Sequence, residues 1–183
     1  MSPRILLFEE PERFVVGTVG QPGERTFFIQ AKDRTRLISV SLEKGQVQAL
    51  AERLVYMVKE IRQSDPTIVI NNLPRDDSPL ETPIEEEFRV GIIGLAFDAS
   101  RSLIQIDFQA IAEANSTEPE FIDVDDLSSD QDIVRVLITP SEAEKFSKRS
   151  VSVVNAGRAP CPFCGGPIDP GGHLCPRANG YRR

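Results

Sequence analysis

Residues 14–20 read FVVGTVG and residues 88–94 read FRVGIIG. Both are rich in β-branched residues, with glycines at the same two offsets: Gly17 and Gly20 in the first, Gly91 and Gly94 in the second. Further along, VSLEKGQVQALAERL (40–54) can be laid over VLITPSEAEKFSKRS (136–150). In each of these, a short apolar strand end passes into an amphipathic helix. The two matches keep the same order while the offset grows from 74 to 96, so the second half carries about 22 more residues between them. This predicts a duplicated strand-strand-strand-helix unit, with the acidic stretch 113–132 supplying most of the added length.

Local signals support the elements. TFFIQAKD and RLISVSL are strand-like, with KDRT between them as turn material and GQPGE (20–24) as a hairpin loop. In the first helix Val47, Leu50, Ala51, Leu54, Val58 and Ile61 recur at three- and four-residue steps and share one face. The second helix starts at Thr139 as N-cap, with Pro140 in the first turn and Glu142 completing a capping box. Its apolar face, Ala143, Phe146, Ser150 and Val154, is thinner. EEFRVGIIGLAF, SLIQIDFQAIA and DIVRVLI supply the strands of the second half. The expected fold is α+β, a mostly antiparallel sheet covered by two helices. Residues 1–64 form the first unit and 65–84, rich in proline, a linker. Residues 85–156 form the second unit, packed with the first as one body, and 157–183 a C-terminal appendage.

Composition narrows the setting. No apolar run approaches the roughly 20 residues of a membrane span. The N-terminal apolar burst in MSPRILLFEEPERF is four residues long, too short for a signal-peptide core. An odd cysteine count with a C-x-x-C pair argues against a secreted disulfide scaffold, so a cytoplasmic protein is expected. The net charge of −7 is uneven: residues 157–183 hold Arg158, Arg177, Arg182 and Arg183 against Asp169 alone, a sum of +3 that leaves −10 for the first 156 residues. A body this acidic repels phosphate backbones, which confines any nucleic-acid contact to the tail.

All three cysteines and the single histidine fall in CPFCGGPIDPGGHLC, residues 161–175. Cys161, Cys164, His173 and Cys175 spell C-x₂-C-x₈-H-x-C, a donor set suited to a closed, structural Zn²⁺ site of the Cys₃His type. Metal binding would supply folding energy that a segment without an apolar core lacks. A redox C-x-x-C is the rival reading, and it requires a thioredoxin-like βαβ setting that the surrounding pattern does not offer. Three thiolates and one Zn²⁺ sum to −1 and trim the tail charge to +2. The end of the tail, RANGYRR, presents Arg177, Asn179, Tyr181, Arg182 and Arg183 for a partner.

Other motifs read as scaffold. VGTVGQPGER (16–25) lacks the Gly-Lys-Ser/Thr ending of a phosphate loop and leads into a strand. DVDD in the acidic loop lacks the EF-hand spacing and glycine, although Asp125 and Asp126 leave divalent-ion binding open. With the histidine and cysteines assigned to metal, no Ser-His-Asp or Cys-His pair remains.

PERFVVGTVGQPGERTFFIQA, EEEFRVG and CPFCGGPIDPGGHLCPRANGYRR resemble the mainly actinobacterial family catalogued as domain of unknown function 3090, over nearly the whole chain. The resemblance implies a bacterial cytoplasmic protein of one architecture and carries no activity with it. The expectation is therefore a non-enzymatic adaptor in which a zinc knuckle fixes a basic tail for a protein partner. A carboxylate-dependent hydrolase or nucleic-acid-processing enzyme, and single-strand nucleic-acid binding through the tail, are the alternatives.

Overall fold

The computed structural model describes residues 3–111, 120–126, 130–157, 160–166, 168, 175 and 177. Its elements run β1 (Ile5–Glu9), β2 (Arg13–Val19), β3 (Thr26–Lys32), β4 (Leu37–Leu42), α1 (Lys44–Ser64), β5 (Glu86–Asp98), β6 (Leu103–Ala110), β7 (Glu120–Asp123), β8 (Ile133–Ile138) and α2 (Pro140–Asn155). Among the described residues the strands form one eight-stranded sheet in the order β1-β8-β6-β5-β4-β3-β2, with β7 beside β5. Four pairings are antiparallel (β2·β3, β3·β4, β5·β6, β6·β8) and three parallel (β1·β8, β4·β5, β5·β7). The sheet is thus mostly antiparallel, as expected from the order of strands and helices.

Each half is a three-stranded meander followed by a helix: β2-β3-β4-α1, then β5-β6-β8-α2. The two FVVGTVG-like stretches fall in the first strand of each meander, and the second pair of matching stretches spans the last strand and the start of its helix. Both helix starts follow local chemistry. Thr139 Oγ1 accepts from the Glu142 N–H at 3.2 Å, with Pro140 at the first position. Gln46 Oε1 accepts from the Glu43 N–H at 2.8 Å. The other end of the Gln46 amide donates to the carbonyls of Val90 and Gly91, each at 3.2 Å, which ties α1 to β5.

β5 is the corner of the sheet. Its first residues pair with β4 and its later ones with β6, with β7 taking over the edge that β4 leaves. The register slips between Val90 and Ile92, at Gly91, where a bulge lets a strand turn from one sheet plane into another. A Cβ on Gly91 would lie 2.9 Å from the Ile111 Cα, so glycine is required where the chain leaving β6 crosses. The opposite corner is β1–β2. These strands sit at the two ends of the strand order, yet only residues 10–12 separate them, a reach of at most about 14 Å. The sheet must therefore curl back on itself. Accordingly Arg4 before β1 pairs with Glu87 of β5 at 2.8 Å, and Arg36 after β3 donates to the Leu7 carbonyl at 2.8 Å.

Alternate residues of the curled sheet meet the helices in one core. Phe14 and Val16 of β2, Ile29 of β3, Val40 of β4, Ile106 and Phe108 of β6 and Val136 of β8 join Leu50, Leu54 and Phe146 of the helices. Phe14 stacks on Phe146 with centroids 4.4 Å apart and lies 6.3 Å from Phe108, two strands that only curvature brings together. The six periodic residues named for α1 are all buried, as are the four named for α2. No described helix is long and apolar enough to cross a membrane.

Residues 65–84 connect the halves as a strap. On the helix side the Asn71 N–H donates to Ser141 Oγ at 2.9 Å and Lys148 donates to Asn72 at 2.6 Å. The strap then rounds the β2 edge at Asp76, which is paired with Arg13 at 2.7 Å. On the far face Leu80 covers Gly17, where a Cβ would come within 2.5 Å of Leu80 Cγ. Glu81 and Gln30 exchange two hydrogen bonds of 2.9 Å, backbone to amide, and Lys32 pairs with the Glu81 carboxylate at 2.8 Å.

Candidate metal centre

Past α2 the chain enters Pro160-Cys161-Pro162-Phe163-Cys164-Gly165-Gly166. Here it makes a tight turn: the Gly165 N–H donates to the Cys161 carbonyl at 2.8 Å, and the Cys161 N–H to the Gly166 carbonyl at 2.7 Å. Gly165 has φ +73°, the left-handed region in which a side chain is strained. Folding the turn this way aims the Phe163 N–H at Cys161 Sγ, 3.5 Å away.

Cys175, fourteen residues on, returns to the turn with its Sγ 3.7 Å from that of Cys161. The Sγ atoms of Cys161, Cys164 and Cys175 all lie within 4.8 Å of one another. None of the three cysteines is in a disulfide, and 3.7 Å is far from the roughly 2.05 Å of such a bond. It is close to the edge of a tetrahedron of thiolates around one ion, about 3.8 Å for a Zn–S bond near 2.3 Å.

The thiols are not equivalent. The backbone N–H of Cys164, helped by that of Phe163 and by the neighbouring sulfurs, outweighs desolvation and pulls the Cys161 thiol below its usual range. At Cys164 the Gly166 N–H favours the thiolate, but desolvation and the other two sulfurs together push the thiol up. A cation among the three sulfurs would relieve that mutual repulsion.

Of the four ligands expected from spacing, the structure brings Cys161, Cys164 and Cys175 together. His173 lies outside the described residues, as do Asn179, Tyr181, Arg182 and Arg183 of the expected partner surface. Arg177, the remaining member of that surface, is exposed and donates to the Phe163 carbonyl at 3.2 Å, so it clasps the turn between the first two cysteines. Phe163 was not singled out by the sequence reading, yet it is 63% exposed on a backbone held at both its N–H and its carbonyl. Its position between two of the clustered cysteines was the available signal.

The other candidates behave as scaffold. Residues 16–25 make the β2–β3 hairpin, with Gly20 and Gly23 at positive φ in the turn. The acidic stretch, read as a loop, contains β7 and a 3-10 turn at Val124–Asp126, because pairing with β5 gives its apolar residues Phe121 and Ile122 a partner strand. Exposed Asp125 donates its N–H to Asp123. Among the described residues the cysteine trio is the one group that gathers three metal-ligating side chains.

Neither the curated proteins nor the solved structures contain a match to this chain. One family model matches residues 6–175, a span running from the first strand through the strap and both helices to the third cysteine. The chain therefore belongs to the family described as Protein of unknown function (DUF3090).

Proposed function

We propose that the protein is a non-enzymatic adaptor whose C-terminal segment is a structural zinc knuckle. Cys161, Cys164 and Cys175 supply three thiolates and His173 the fourth ligand, closing the coordination shell so that the metal serves shape and leaves no position for substrate. The observation that carries this reading is the sulfur trio, with one pair at the spacing of a tetrahedral edge. The curled body, read as a duplicated strand-strand-strand-helix unit, is the scaffold. The basic end, Arg177, Asn179, Tyr181, Arg182 and Arg183, contacts a protein partner. Support for a fixed presentation comes from the clasp of Arg177 on Phe163.

The test is metal analysis of the purified full chain beside the Cys161→Ser, Cys164→Ser variant. One zinc per chain is expected in the parent and near none in the variant, with the thermal transition of the body held in place. A parent chain that binds no zinc, or a variant that unfolds globally, overturns the appendage reading. Recovery of partners from cells by both chains, with and without nuclease, then separates a protein partner from nucleic acid held by the tail.

A further inference from the structure

β2 ends the strand order, and an open edge strand is a template for pairing with another chain. Val16 shows which backbone groups face outward. Its carbonyl accepts from Arg149 Nε at 2.6 Å rather than from β3. Since inward and outward groups alternate along an antiparallel edge, the backbone groups of Phe14, Val16 and Thr18 form that outward row. Arg149 projects from α2 and is only 6% exposed; burial lowers its pKa, so its charge is held at a desolvation cost. Besides Val16 it reaches the backbone carbonyl of Asp76, and the Asp76 carboxylate at 3.4 Å. Arg13, at the start of β2, grips the same segment through Asp76 and the carbonyls of Ser78 at 3.0 Å and Pro79 at 2.9 Å.

The segment so held suits a cover. Pro74, Pro79 and Pro83 interrupt it, and proline cannot donate to a strand ladder, so the cover does not itself become a new edge. Its residues from 74 to 80 form no strand although they lie along one. Two arginines from separate elements converge on a single aspartate, which makes the strap a latched part rather than a passive connection.

We propose that residues 74–83 are an edge guard, latched by Arg149 and Arg13 through Asp76, that keeps β2 from pairing with the β2 of a second copy. An antiparallel β2·β2 contact is self-complementary, which is the symmetry a closed dimer needs. Releasing the latch therefore converts the protein into a dimer joined through that edge. The device is independent of the cysteine turn and shares no residue with it.

The experiment compares the full chain with Arg149→Met by light scattering across a range of concentrations and by amide hydrogen exchange. Faster exchange at 74–83 together with a doubled, concentration-dependent mass is expected. Adding Thr18→Pro, which removes an outward N–H and no ladder bond, should return the mass to that of one chain. Arg13→Gln frees the strap while leaving the buried guanidinium in place, and it serves if Arg149→Met does not fold. A freed strap with the mass of a single chain, or a dimer that survives Thr18→Pro, overturns the proposal.

Discussion

Between Phe8 and Val154 the chain is held by one continuous cluster of buried apolar side chains drawn from seven strands and both helices. Past Val154 that cluster has no member among the described residues; there the chain closes a turn through its backbone and gathers three sulfurs within 4.8 Å. The first region gains stability by removing area from water; in the reading proposed above, the second gains it from a metal held where its donors converge. Two regions stabilised in such different ways should fail separately: denaturants and core truncation act on the first, ligand loss on the second.

Leu54→Ala is the strongest way to probe that separation from the body side. Leu54 is fully buried in α1, and its truncation should destabilise the body by about 2–5 kcal/mol. The denaturant midpoint measures this, while zinc content should stay at the parental level. Loss of metal in this variant would mean that the cysteine turn depends on the body.

A smaller effect is expected where the strap crosses the sheet. Gly17→Ala forces Leu80 aside, at a cost of about 1–3 kcal/mol. In a Leu80→Ala background most of that penalty should vanish, a coupling that a double-mutant cycle reads directly. Additive losses would show that the close approach is not what the glycine serves.

Acid should sharpen the contrast further. The side-chain bonds from Arg13 hold the Asp76 carboxyl at about 2, below its usual 3.8. Because the folded-state value is depressed, the stabilisation is complete above the ordinary value and is lost as pH falls from about 4 toward about 2. It amounts to about 1–2 kcal/mol once solvent screening is allowed for. Asp76→Asn should flatten that limb of the stability curve and leave neutral-pH metal content unchanged. An unaltered acid limb would show that other carboxylates control it.

What could be read from the residues follows the range of the interactions. Helical faces depend on neighbours three and four positions away, so Val47 to Ile61 and the Thr139 cap were visible, as were the meander strands with their intervening turns. β1 was not, because a four-residue apolar burst becomes a strand only through β8. β7 was hidden by its acidic surroundings for the same reason. The parallel β4·β5 join and the wrapping of residues 71–81 around β2 depend on sheet curvature, which no local pattern encodes. In the cysteine segment, ligand spacing pointed to the trio, whereas the Arg177 clasp on Phe163 required coordinates.

The pairing of β1 with β8 matches Ile5 with Ile133, partners separated by nearly the whole body. A ribosome delivers the first of these long before the second. β2, β3, β4 and α1 can assemble as they emerge, whereas β1 has nowhere to go until β8 is made, and long loop closures of this kind slow folding. Of the described strands, the first to be synthesised is thus among the last to be placed. Shortening the N-terminus to residue 10 would remove that wait and leave β8 as a bare edge.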